Sequence, residues 1–100
     1  DYSNGHAFPM VYKTLGIGKL IGTPVAGTMT AVWWEKMIDQ SMVYGIPQVG
    51  CRTLDGIYGE NTQLNPDIVV YNTPEDYITS NDRQLKKAVE EMLKEADKNK

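Results

Sequence analysis

Apolar positions recur at helical spacing near both ends of the chain, and in short runs between them. Phe8, Val11, Tyr12 and Leu15 fall at i, i+3, i+4 and i+7, which predicts a helix from about Ala7 to Leu15. Pro9 then belongs in its first turn, and Gly16 and Gly18 end it. Leu85, Ala88, Val89, Met92, Leu93 and Ala96 predict a second helix over Asn81–Ala96. Asn81 with Gln84 supplies a capping-box-like start, and Asp82–Lys86 and Glu90–Lys94 are i,i+4 pairs in the favourable order.

The short runs read as strands at Lys19–Gly22, Met42–Ile46, Val49–Leu54 and Ile68–Tyr71, with Pro47 limiting the second. Asp55-Gly56 is a strong turn signal and suggests a hairpin from Val49–Leu54 to Ile57–Tyr58. Thr30–Met37 is ambiguous. A strand would place Trp33 and Trp34 on opposite faces, and a helix would splay them by about 100°. Thr23–Thr28 reads as a loop, and Asn72–Ser80 as a polar connection. The mixture is α/β or α+β, without internal repeats.

Its 100 residues suffice for one small, marginally stable domain. A net charge of −3 gives no electrostatic footprint for nucleic acid. Lys86, Lys87, Lys94, Lys98 and Lys100 alternate with acids, as on a solvated helix face. Cys51, the single cysteine, permits no internal disulfide, and no apolar run reaches the length of a membrane-spanning helix. The chain opens on Asp1-Tyr2-Ser3 rather than Met, so the expectation is an excerpt from something longer, in which any targeting segment would lie elsewhere.

Candidate chemistry is sparse. Ser3 precedes the first helix, where a serine ordinarily caps an orphan N–H. The alternative is a nucleophile at a strand-to-helix junction, with the helix N-terminus favouring the developing negative charge and Gly5 admitting a peptide. Glu60, in Gly59-Glu60-Asn61, is either surface decoration or a carboxylate that orients a base. His6 is the only histidine; three residues after Ser3 it is a candidate base, but at a helix start it would point along or away from the serine with no acid placed to orient it, and it reads as exposed or substrate-flanking. One histidine and one cysteine do not make a zinc site, and Gly16-Ile17-Gly18 follows a helix rather than a strand, so it is no dinucleotide fingerprint.

Several segments in fixed order resemble the tail-specific (C-terminal processing) serine peptidases, in their tricorn-like branch. Gly18–Thr23 followed by Gly27 resembles the strand and glycine loop after the nucleophile helix. Asp55-Gly56, Glu60-Asn61 and Leu64-Asn65-Pro66-Asp67-Ile68-Val69-Val70 resemble the family's "DG … EN … PD-I-x-V" stretch. Asp82 with Gln84-Leu85 resembles its closing "D-x-QL" helix. The likeness covers roughly residues 2 to 95.

The resemblance implies the C-terminal part of a crotonase/ClpP-like peptidase core, cutting peptide or protein substrates without a metal or cofactor. Ser3 would form the acyl-enzyme, the backbone N–H of Asn4 would be half of the oxyanion hole, and Glu60 would belong to a Ser-His-Ser-Glu tetrad. The histidine and second serine of that tetrad precede the nucleophile, so the chain alone would be inactive. Ala26-Gly27-Thr28 stands where the lysine-dependent branch carries its base, and neither Gln63 nor Leu64 is the glycine often found there. The alternative is a non-catalytic binding module on the same core. Open strand edges and bared apolar residues would favour a homo-oligomer, most simply a two-fold dimer, with the last helix packing on the sheet of its own or an exchanged chain through Leu85, Val89, Met92 and Leu93. Family habit leans toward the bacterial cell envelope.

Overall fold

The computed structural model describes residues 3–98. Asp1, Tyr2 and Lys100, named above, lie outside them. In chain order the elements are α1 (Asn4–Thr14), β1 (Ile21–Gly22), β2 (Ala31–Lys36), β3 (Val43–Val49), β4 (Ile68–Val69), α2 (Pro74–Ile78) and α3 (Arg83–Lys98). β1 pairs in parallel with β4, and β2 pairs antiparallel with β3.

The β1–β4 unit shows what the Pro-Asp-Ile motif does. The Asp67 carboxylate accepts the Leu20 N–H at 2.8 Å and the Lys13 ammonium at 2.8 Å. The N–H groups of Asp67 and Ile68 both donate to the Leu20 carbonyl. One side chain thus joins the end of α1 to the entry of both strands. The Lys13 cation, then the Leu20 N–H, holds its carboxyl below the usual range. The closing motif is structural in the same way. Asp82 accepts the Leu85 N–H at 3.0 Å and so caps α3, and Gln84 donates to the Val70 carbonyl at 3.0 Å.

Several expectations shift. α1 begins at Asn4, so Pro9 lies in its second turn, and the Gly5 carbonyl loses its helical donor. Its stripe of Phe8, Val11 and Leu15 is exposed, and the buried side chain is His6. α3 starts two residues later than expected, with Asp82 rather than Asn81 as its cap. Asn81 serves Asp76 instead, donating to it at 2.6 Å. The polar connection contains α2, started by a reciprocal pair in which Thr73 and Asp76 bond each other's backbone and Pro74 opens the helix.

Thr30–Met37 resolves as β2, with Trp33 opposite Ile46 and Trp34 opposite Gly45. β3 runs through Pro47 to Val49, which a two-stranded sheet allows because each strand has a free edge. The Asp55-Gly56 turn forms, with Gly56 at φ 87°, and Val49–Leu54 meets Ile57–Tyr58 in a single Arg52–Tyr58 bridge beside the Thr53 N–H to Ile57 carbonyl bond at 2.9 Å, short of two full strands.

The α3 face toward β1 carries Ala88 and Glu91. Leu85, Val89, Met92 and Leu93 are exposed within the single chain, so this stripe is not buried against its own sheet, although Met92 lines the groove beside Ala88 and Glu91. Met29 is the one buried hydrophobic residue among those described. The radius of gyration is 18.1 Å, against about 13 Å for a compact chain of this length. The β2–β3 hairpin accounts for much of this extension: all but one of its strand residues are exposed, and the strands pack chiefly on each other. No described helix is long and apolar enough to cross a membrane, and no described His/Cys/Asp/Glu cluster is suited to a metal.

Candidate functional site

Ser3 enters α1 in a strained conformation. Its φ of 52° and ψ of −108° lie outside the regions an L-residue normally occupies, at a cost of roughly 1–3 kcal/mol. Its side chain makes no capping hydrogen bond, although its carbonyl accepts the N–H groups of His6 and Ala7 at 2.9 Å. The ordinary reason for a serine in this place, an oxygen spent on an orphan N–H, is therefore absent. Ser3 is exposed, and Asn4 follows as the first helical residue, where the helix supplies no acceptor for its N–H.

The Ser3 N–H donates to the Thr28 carbonyl at 3.0 Å. That contact anchors the turn to the segment from Gly27 to Thr30. The next residues of the same segment receive Glu60. Its Oε2 accepts the N–H of Met29, the N–H of Thr30 and the Thr30 hydroxyl, each at 2.7 Å. Asn61, at φ 58°, donates its N–H to the Gly27 carbonyl at 2.6 Å. Four consecutive residues thus carry the serine turn on Thr28 and the glutamate on Met29 and Thr30, although Ser3 and Glu60 lie 57 residues apart in sequence.

The Thr30 hydroxyl, then the Met29 and Thr30 N–H groups, hold the Glu60 carboxyl below its usual range, and His6 adds a smaller electrostatic pull in the same direction. Glu60 is therefore an ionised group in a fixed position at neutral pH. All three bonds fall on Oε2, which leaves Oε1 with lone pairs for a further donor. Such a carboxylate can orient and stabilise a cationic base.

His6 is 2% exposed, with Nδ1 sealed from solvent and without a partner among the described residues. Its burial corrects the expectation of an exposed residue. The ring forms one wall of a small pocket of about 140 Å³, shared with Met10, Tyr58, Gly59 and Leu64. Sequence reasoning missed this role because nothing local to His6 distinguishes an inward from an outward position in the first turn. It missed Thr30 for a similar reason: its hydroxyl matters only because Glu60 arrives from thirty residues away.

The fold itself has a counterpart among solved structures. The chain superposes on part of a crystal structure of the tricorn protease with a TM-score of 0.82 and 30% sequence identity, over 93% of this chain and 9% of that one. It is a small α+β unit close in structure to part of the tricorn protease. Curated proteins point the same way. The chain is 30% identical over 94 residues to the tricorn protease of Thermoplasma acidophilum, covering 93% of this chain and 9% of that protein. It is 32% identical over 95 residues to a tricorn protease homolog of Saccharolobus solfataricus, covering 93% and 9% respectively. With a putative tricorn-like protease C-terminal subunit of Sulfurisphaera tokodaii it shares 31% identity over 94 residues, 93% of this chain and 11% of that protein. No protein-family model matches. The chain is homologous to a region of the tricorn proteases and spans about a tenth of their length.

Proposed function

We propose that this chain is the C-terminal part of a serine peptidase catalytic core of crotonase/ClpP-like fold, with Ser3 as nucleophile. The observation that carries the reading is the strained Ser3 turn, with its hydroxyl free of any capping bond and its backbone N–H tied to Thr28 in the segment that holds Glu60. Strain of this kind persists where the surrounding structure enforces it, and it marks functional positions.

In this mechanism the Ser3 Oγ attacks the scissile carbonyl of a peptide. Its proton passes to a base and then to the departing amine, leaving an acyl-enzyme that water hydrolyses. The Asn4 N–H stabilises the oxyanion, helped by the positive end of α1. Glu60, anchored through Oε2, offers Oε1 to hold an imidazolium in place. In this reading the base comes from outside residues 1–100, since the His6 ring is 2% exposed and lines the small pocket with Met10, Tyr58 and Leu64. Without it the chain is inactive by itself.

A fluorophosphonate probe tests the reading. A longer tricorn-like protein carrying this segment should be labelled at Ser3 and should lose peptide turnover by orders of magnitude on Ser3→Ala. The 100-residue chain should neither label nor hydrolyse peptides. Turnover by the short chain that depends on Ser3 would disprove the external base. A longer protein whose turnover survives Ser3→Ala would disprove the nucleophile.

A further inference from the structure

We propose that Thr30 is a positioning residue, whose hydroxyl sets the roll of the Glu60 carboxylate so that Oε1 is the oxygen presented to the base; this rests on the peptidase reading above. Met29 and Thr30 are consecutive, and the N–H groups of both reach Oε2 at 2.7 Å. Two donors on adjacent residues can also be met by one oxygen each. That grip would occupy both oxygens and turn Oε1 onto the backbone. The terminal torsion of a glutamate is broad, so the carboxylate can roll between the two arrangements at little cost. The Thr30 hydroxyl, also 2.7 Å from Oε2, is the third donor that gathers all the bonds on one oxygen.

The direction of that bond is fixed by chemistry. An ionised carboxylate only accepts hydrogen bonds, so the hydroxyl donates and its proton is committed to Glu60. The titratable group that acts on Glu60 from α1 is His6, and its pull favours the same ionised form. The hydroxyl itself has little freedom. The β-branch of threonine restricts χ1, and Thr30 is half-buried directly before β2. The two N–H groups thus set where the carboxylate sits, and the hydroxyl sets which way it faces.

Thr30→Val keeps nearly the same shape and both N–H donors and removes the hydroxyl. Thr30→Ser restores the hydroxyl without the methyl group. In a longer tricorn-like protein carrying this segment, Thr30→Val should lower kcat by about tenfold to a hundredfold and leave KM within about twofold. Thr30→Ser should stay within about threefold of the parent kcat. A second reading comes from carbon-13 NMR of the 100-residue chain labelled at the glutamate Cδ, with Glu60→Gln identifying the resonance. Glu60 should titrate at a higher pH in Thr30→Val than in the parent, and Thr30→Ser should return it toward the parent value. Unchanged kcat in Thr30→Val would overturn the proposal, as would a loss carried by KM or one that only mirrors loss of folded protein by circular dichroism. So would a loss in Thr30→Ser as large as in Thr30→Val, or a Glu60 titration that Thr30→Val leaves in place. Ser3→Ala in the same protein separates the two levels. If it is inactive while Thr30→Val is fully active, only the positioning role fails; if turnover survives it, the peptidase reading fails and the positioning role with it.

Discussion

Gly27 is the position where the candidate site can be tested through stability alone. A Cβ placed on it would lie 2.4 Å from the Thr62 nitrogen and 2.7 Å from the Thr62 carbonyl carbon and oxygen. These are backbone atoms of the turn that follows Glu60, and they have no rotamer through which to retreat. Gly27→Ala must therefore push the Gly59–Thr62 turn away by about 1 Å, against the 2.6 Å bond from the Asn61 N–H to the Gly27 carbonyl. Overpacking of this kind costs about 3 kcal/mol at the upper end. Reduced freedom of the unfolded chain returns about 0.4–1 kcal/mol. The net loss is about 2 kcal/mol, and in a chain of this size that lowers Tm by roughly 8–16 °C. Gly45→Ala is the matched control. Its Cβ would meet only the side chains of Trp34 and Val32, at 3.3 Å, on an exposed arm, and its Tm should stay within about 3 °C of the parent chain. Thermal melts followed at 222 nm on the two variants and the parent decide the matter. A Gly27→Ala melt as close to the parent as the Gly45→Ala melt would refute the close approach on which the site geometry rests.

Ser3→Gly should raise stability by about 0.5–2 kcal/mol in a urea titration, because glycine relieves the positive φ at a modest entropic cost; a loss of stability would show that the turn is unstrained. Asn72→Ala should cost about 1 kcal/mol by the same assay, since its Oδ1 accepts the N–H groups of Arg83 and Gln84 at the start of α3; an unchanged midpoint would assign the cap to Asp82 alone. Lys94, then Lys19 and Lys87, lower the Glu91 carboxyl to about 2, from 4.5. Its folded pKa lies below its unfolded one, so its stabilising contribution is full above about pH 4.5 and is lost as the pH falls toward 2. Glu91→Gln should therefore flatten the fall in Tm between pH 5 and pH 2, and parallel curves for the two proteins would rule out this role.

Local signals in the sequence identified elements well and their partners poorly. α3 is legible from its apolar spacing, but the same stripe is not the face that packs on its own sheet. The side that meets β1 uses small Ala88 and the paired Glu91, and Leu85 and Met92 are left in solvent. The α2 signal was present in Thr73-Pro74-Glu75-Asp76, a capping residue, a helix-opening proline and an acid at the third position, but a polar segment of this length reads first as loop. Parallel pairing of Ile21 with Ile68 joins runs separated by nearly half of the chain, and no local pattern specifies it. At the site, Ser3 and Glu60 were both singled out from sequence. Their placement on one backbone segment was not legible, because all but one of the bonds that create it go to main-chain atoms of Thr28, Met29 and Thr30, the exception being the Thr30 hydroxyl.

That shared segment has a mechanical consequence. Thr28 receives the serine turn, and the two peptide groups after it hold the glutamate. A thermal displacement of this stretch carries both attachments in the same direction, so much of it cancels in the separation between them. Mounting the serine turn and the glutamate on one short rail keeps their spacing more constant than either one's position in the molecule. A substitution that bends the rail between its mounts, rather than one that shifts it whole, is then the change to which their alignment is most sensitive.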